Sequence, residues 1–165
     1  MSKDYEWRTG RHCFFRNHMH LVFVTKYRKS VFTDAMLERL NAVFAETMEQ
    51  MEGTLLEFGG EDDHVHLLVS CHPKTAVSNL VGKLKGKSSY ILRNEFWSEI
   101  KNKLWGDHFW SPSYCVVSCG GASLDVVRAY IEDQRKPSDK KSMEQSKRFA
   151  GTNRNQDKTW NRKTR

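Results

Sequence analysis

In the stretch GGEDDHVHLLVS, residues 59–70, His64 and His66 sit one residue apart behind an acidic run. Neutral imidazole ligates divalent metals, and an ordinary pKa of about 6.5 leaves it neutral around pH 7. If the apolar residues that follow form a strand, alternation sends Val65, Leu67 and Val69 to one side. His64, His66 and Leu68 then face the other side, with both rings projecting together. The same spacing also occurs in half-exposed strands without metal, so the pair alone leaves both readings open. A second pairing lies in SLDVVRAYIEDQRK, where Tyr130 and Gln134 are four residues apart and share one helical face. They flank a narrow stripe of Leu124, Val127 and Ile131. A phenol can attack and an amide can ligate, but an amphipathic edge residue and a surface residue would look the same.

Three other patterns are decoys. His18-Met19-His20 repeats the spacing without the preceding turn and acidic run, and reads as structural. GKLKGKS, residues 82–88, has three residues between its glycines where a phosphate-binding loop has four, and lies inside a helical period. Cys71, His72, Cys115 and Cys119 match no common zinc spacing, and reduced thiols are the simpler account of the four cysteines.

The elements that must position these groups follow from periodicity. His18–Tyr27 is β-branched and aromatic and reads as a strand. Asp34–Met51 carries apolar residues at Met36, Leu37, Leu40, Val43, Phe44 and Met51, a helical spacing capped by Thr33 or Asp34 and stopped by Gly53. Thr54–Phe58 is a short strand, Gly59-Gly60 begins a turn, and His64–Cys71 is the next strand. Thr75–Phe96 is a second helix, with Lys83, Lys87 and Tyr90 as its outer stripe. Tyr114–Cys119 is a fourth strand, Gly120-Gly121 a flexible joint, and Ser123–Gln134 a last helix. The order β-α-β-β-α-β-α predicts an α+β fold: a four-stranded antiparallel sheet of ferredoxin-like or RRM-like type, with helices on one face.

The 165 residues suffice for one domain with a single core. No apolar run approaches a membrane span and residues 1–16 are polar, so a soluble, cytoplasmic protein with no membrane partner is expected. The net charge of +7 is uneven, because residues 135–165 hold 11 Lys and Arg against 3 Asp and Glu. Such a segment is too poor in aliphatics to fold alone and suits a polyanion; Phe149 and Trp160 favour nucleic acid, since aromatics among cations stack on bases. The expected organisation is a domain over residues 1–136 and a basic tail over 137–165.

His64-Val65-His66 resembles the His-hydrophobe-His (HUH) motif of single-strand endonucleases. LVFVTKYRK, DHVHLLVS, LVGKLKGKSS, FWSPSYCVVSCGG and VVRAYIEDQ occur in the order found in single-tyrosine HUH transposases of bacterial insertion sequences, the TnpA type. The resemblance spans roughly residues 12–136. It implies that Tyr130 is the nucleophile, that His64, His66 and Gln134 bind a divalent ion, Mg²⁺ or Mn²⁺, and that the product is a 5′-phosphotyrosine. It further implies single-stranded DNA with hairpins as substrate, and a homodimer in which one subunit's last helix completes the partner's site. Lys26 and Arg28 in the first matched segment, with Lys83 and Lys87, are the candidate DNA-binding cations. Two rival readings remain: a domesticated relative nicking chromosomal hairpins, and a non-catalytic RNA-binding sheet domain of similar topology.

Overall fold

Thr33 opens the first long helix by accepting a hydrogen bond from the Met36 amide on its side chain, as the spacing predicts. The computed structural model describes residues 7–104 and 106–118. In chain order these form β1 (Arg8–Thr9), β2 (Phe14–Phe15), β3 (His18–Val24), a 3-10 turn (Lys26–Arg28), α1 (Asp34–Gln50), β4 (Thr54–Gly60), β5 (His64–Ser70), α2 (Val77–Glu95), α3 (Trp97–Ile100) and β6 (Cys115–Ser118). β1 and β2 pair as a separate two-stranded ribbon. The main sheet runs β4-β5-β3-β6, and each neighbouring pair is antiparallel. The expected last helix, its glycine joint and the boundary at residue 136 lie outside the described residues.

The α+β layering follows from two periodicities meeting. Met19, Leu21 and Phe23 of β3 and Val65, Leu67 and Val69 of β5 face Met36, Leu40, Phe44 and Met48 of α1. Leu80, Val81, Leu84 and Leu92 of α2 complete that layer. Each buried Leu, Val, Phe or Met contributes roughly 1.5–3 kcal/mol relative to exposure, which is what holds the helices on this face. GKLKGKS lies wholly within α2, so it is helix and not a phosphate loop. Cys71 belongs to this core, whereas Cys115 packs with Val22 and Val24 on the opposite face.

Three expectations change. β3 ends at Val24, because Tyr27 and Arg28 adopt positive φ of 58° and 50° in the turn that follows. Glu52, at φ 57°, and not Gly53, makes the left-handed step after α1. A Cβ at Gly53 would stand 2.5 Å from Cε of Met48 and 3.0 Å from the carbonyl oxygen of Ser70, so this glycine serves close packing. Finally, Gly59 and Gly60 do not begin a turn. β4 runs through both, pairing Gly59 with His66 and Gly60 with Val65 across a register shift between Leu55 and Glu57. The β1–β2 ribbon and α3 are additions that the apolar pattern does not announce.

Candidate metal and active site

The β4–β5 hairpin is tight: the Glu61 amide donates to the His64 carbonyl at 2.9 Å, leaving Asp62 and Asp63 at the tip. That tip is pinned to the segment after β3. The Asp62 carbonyl accepts from the amides of Val31 (2.8 Å) and Phe32 (2.9 Å), and the Asp63 carbonyl from the amide (2.9 Å) and hydroxyl (3.1 Å) of Thr25. Asp63 is thereby placed beside Arg28. Its Oδ2 accepts from Arg28 Nε at 2.6 Å and lies 2.6 Å from a terminal guanidinium nitrogen; its Oδ1 lies 2.8 Å from Nδ1 of His64. All three side chains are largely buried.

The alternation argued from sequence holds along β5. Val65, Leu67 and Val69 enter the core, and His64 and His66 share the other face. His66 pairs with Val22 of β3 on one side and Gly59 of β4 on the other. His64 is buried against Asp63, whereas His66 is exposed. Desolvation lowers the His66 pKa below its ordinary value, and repulsion from His64 and His20 adds to this; Glu57 and Glu61 oppose it. His66 therefore stays neutral at pH 7, the form a metal requires.

The donor chemistry fits a divalent ion. With the Asp63 carboxylate as acceptor, His64 Nδ1 is the donor, and in a neutral ring Nε2 then carries the lone pair a ligand needs. His18, the decoy, is 5% exposed, with its pKa lowered first by burial and then by Arg16 and Arg8. Tyr130 and Gln134 lie outside the described residues.

The candidate DNA-binding cations fare differently. Arg28 is engaged by Asp63 beneath the first histidine. Lys87 donates to Glu46 (2.8 Å) and Gln50 (3.2 Å) on α1. Lys83 is exposed on α2, and Lys26 lies over the exposed Tyr27 ring, 5.2 Å from its centroid. The Arg28–Asp63–His64 chain is the feature that sequence reasoning missed. Its signal was modest: an aspartate immediately before the first histidine.

The family model described as "Transposase IS200 like" matches residues 13–134. The ISDra2 transposase TnpA of Deinococcus radiodurans is 31% identical over 131 residues, covering 78% of this chain and 91% of that protein. The transposase for insertion sequence element IS200 of Salmonella typhimurium is 32% identical over 115 residues, covering 70% of this chain and 74% of its own. A Deinococcus radiodurans chain whose crystal structure is described as that of a transposase superposes with a TM-score of 0.71 at 30% identity, covering 77% of this chain and 97% of that one.

Proposed function

The chain belongs to the IS200-like family of transposases, enzymes of DNA transposition, and we propose that it cuts and rejoins single-stranded DNA at hairpin-bearing ends through a 5′-phosphotyrosine on Tyr130. The observation that carries this reading is the pair His64 and His66 on the sheet face away from the helices, with Asp63 bonded to the first ring.

In the proposed reaction the Tyr130 oxygen attacks the scissile phosphorus and displaces the 3′ oxygen, which leaves as a 3′-hydroxyl carrying one proton. The new phosphate ester keeps the energy of the broken bond. A different 3′-hydroxyl can reverse the step, which attack by water would forbid. A phenol with a pKa of about 10 is a weak nucleophile when protonated, so the phosphate must be made electrophilic and aligned. A divalent ion held by His64, His66 and Gln134 would supply that by neutralising a non-bridging oxygen. Neutral imidazoles and an amide leave the whole ionic charge for the phosphate. Gln134 is part of the reading through the resemblance to HUH transposases; among the described residues no three His, Cys, Asp or Glu side chains gather to hold an ion. Mg²⁺ or Mn²⁺ is the metal proposed, and the working form is a homodimer.

The RNA-binding alternative needs stacking aromatics on the open sheet face. Among the described strands of the main sheet that face carries His18, His20, Val22 and Val24 of β3, His64, His66, Leu68 and Ser70 of β5, Glu57 and Gly59 of β4, and Cys115 and Val117 of β6, with no Phe, Tyr or Trp among them.

The test is to incubate the protein with a divalent ion and end-labelled hairpin DNA and seek an SDS-resistant adduct. Wild type should form one. Tyr130→Phe, which loses only the hydroxyl, should bind the DNA and form none. An adduct with the Phe variant would assign the attack to another residue.

A further inference from the structure

We infer that Asp63 and Arg28 are positioning residues that lock His64 in its Nδ1–H tautomer and so set the affinity of the two-histidine site for a divalent ion. This rests on the metal reading above and adds the device that makes His64 a competent ligand.

The geometry leaves Asp63 one role. Both described Arg28 contacts, at 2.6 Å, fall on Oδ2, so Oδ1 is the oxygen presented to His64 Nδ1 at 2.8 Å. With Oδ2 taken by the guanidinium, Oδ1 is left as an acceptor facing Nδ1, and the imidazole proton belongs between them. The Asp63 main chain is fixed, because its carbonyl accepts from the Thr25 amide. The Thr25 hydroxyl shares its one proton between that carbonyl at 3.1 Å and the Lys29 carbonyl at 2.7 Å, bracing the turn that carries Arg28.

That turn is costly. Tyr27 and Arg28 are consecutive non-glycine residues at positive φ, a conformation that persists only where surroundings impose it. It aims the Arg28 side chain back at the hairpin tip. A buried ion pair is itself a poor source of net stability compared with an apolar pair of similar shape. Strain and burial together therefore point to a task beyond holding the fold, and Asp63 links the pair directly to the His64 ring. Partners of this kind typically alter metal affinity by about 10–100-fold.

Asp63→Asn gives the sharpest test. Its amide oxygen would turn to Arg28 and its NH₂ to His64, pushing the imidazole proton onto Nε2 and blocking the ligand position. Long-range ¹H–¹⁵N spectra of the metal-free full chain should show Nδ1–H for His64 in wild type and Nε2–H in this variant. Mn²⁺ affinity, read by electron paramagnetic resonance without DNA, should fall at least tenfold. Arg28→Lys, which keeps one donor for Oδ2, should restore most of the affinity that Arg28→Met loses. Should Asp63→Asn not fold, Arg28→Met/Asp63→Leu replaces the pair by apolar groups and should fold yet lose Mn²⁺ by the same factor. Unchanged tautomer and Mn²⁺ affinity within twofold in either folded variant would overturn the inference. His64→Ala separates the two levels. If it leaves Mn²⁺ binding intact, the metal reading itself fails, and the tautomer signal still decides what Asp63 and Arg28 do.

Discussion

The ring of His66 lies against the bare backbone of Gly59 on the neighbouring strand. A Cβ at Gly59 would stand 2.5 Å from Cε1 of that ring and closer still to Nε2, nearer than real Cβ atoms come to anything. His66 is exposed, so the ring and not the backbone would yield. Gly59→Ala should therefore keep the fold, displace His66 and reduce DNA cleavage by one to two orders of magnitude, as loss of a well-placed ligand does. Gly82→Ala is the control: a Cβ there meets nothing within 4 Å, and it lies within α2. It should raise stability by about 0.5–1 kcal/mol. Equal cleavage by Gly59→Ala and wild type would mean that His66 is not held in this position.

Trp110 and Ser88 give a stability prediction. The buried indole Nε1 donates to Ser88 Oγ at 3.0 Å, and that hydroxyl in turn donates to the Lys85 carbonyl at 3.1 Å. Ser88→Ala leaves the indole N–H unsatisfied beside Phe23 and Phe32, at a cost of about 1–3 kcal/mol. Thermal melts should register a drop of several degrees. An unchanged melting temperature would show that the N–H finds another acceptor.

Lys85 gives the pH dependence. Burial pushes its ammonium down to about 8, although Nζ donates to the carbonyls of Ser111 and Ser113 at 2.7 Å each. The folded pKa lies below the ordinary lysine value, so between the two the unfolded chain binds the extra proton and stability rises with pH. Below about 8 both states are charged and this contribution is flat. Relative to Lys85→Met, wild type should gain roughly 1–2 kcal/mol between pH 7.5 and 10, allowing for partial exposure of the side chain. Urea melts of both proteins at several pH values measure it. A constant difference would return Lys85 to the ordinary range.

The basic segment 135–165 predicts a salt effect, whatever its conformation. Its 11 Lys and Arg against 3 Asp and Glu should release counterions from a bound single strand. Deleting residues 140–165 should flatten the plot of log affinity against log salt by at least about two units of slope. A slope equal to that of the full chain would leave the segment without a DNA contact.

Much of this site was legible in the residues, for physical reasons that also mark the limit. Alternation along a strand is local, so DHVHLLVS alone shows that His64 and His66 face away from Val65, Leu67 and Val69. Helical spacing is equally local, and both long helices follow it to within two residues at either end. Gly59-Gly60 misled because glycine signals both turns and close approach, and only the partner across the sheet decides which. The Arg28 pairing was not legible for a like reason: a lysine- and arginine-rich segment reads as a DNA contact, and Asp63, the carboxylate that engages the guanidinium, lies 35 residues on. Tyr130 and Gln134 lie outside the described residues, so their reading still rests on sequence.

The position of β5 between β4 and β3 carries one more consequence. A strand paired on both sides cannot shift by a single residue without exchanging its two faces. For β5 that exchange would carry both imidazoles into the apolar layer and bring Val65 and Leu67 out on the face away from the helices. A slip of the whole strand therefore acts on His64 and His66 together, and the two rings change face as a pair. Evolution by point substitution can tune such a strand, but one residue gained or lost between the two histidines would set their rings on opposite faces of the sheet. A lineage altered in this way would keep its helices and much of its core composition, and odd or even spacing between the two histidines would tell it from its parent.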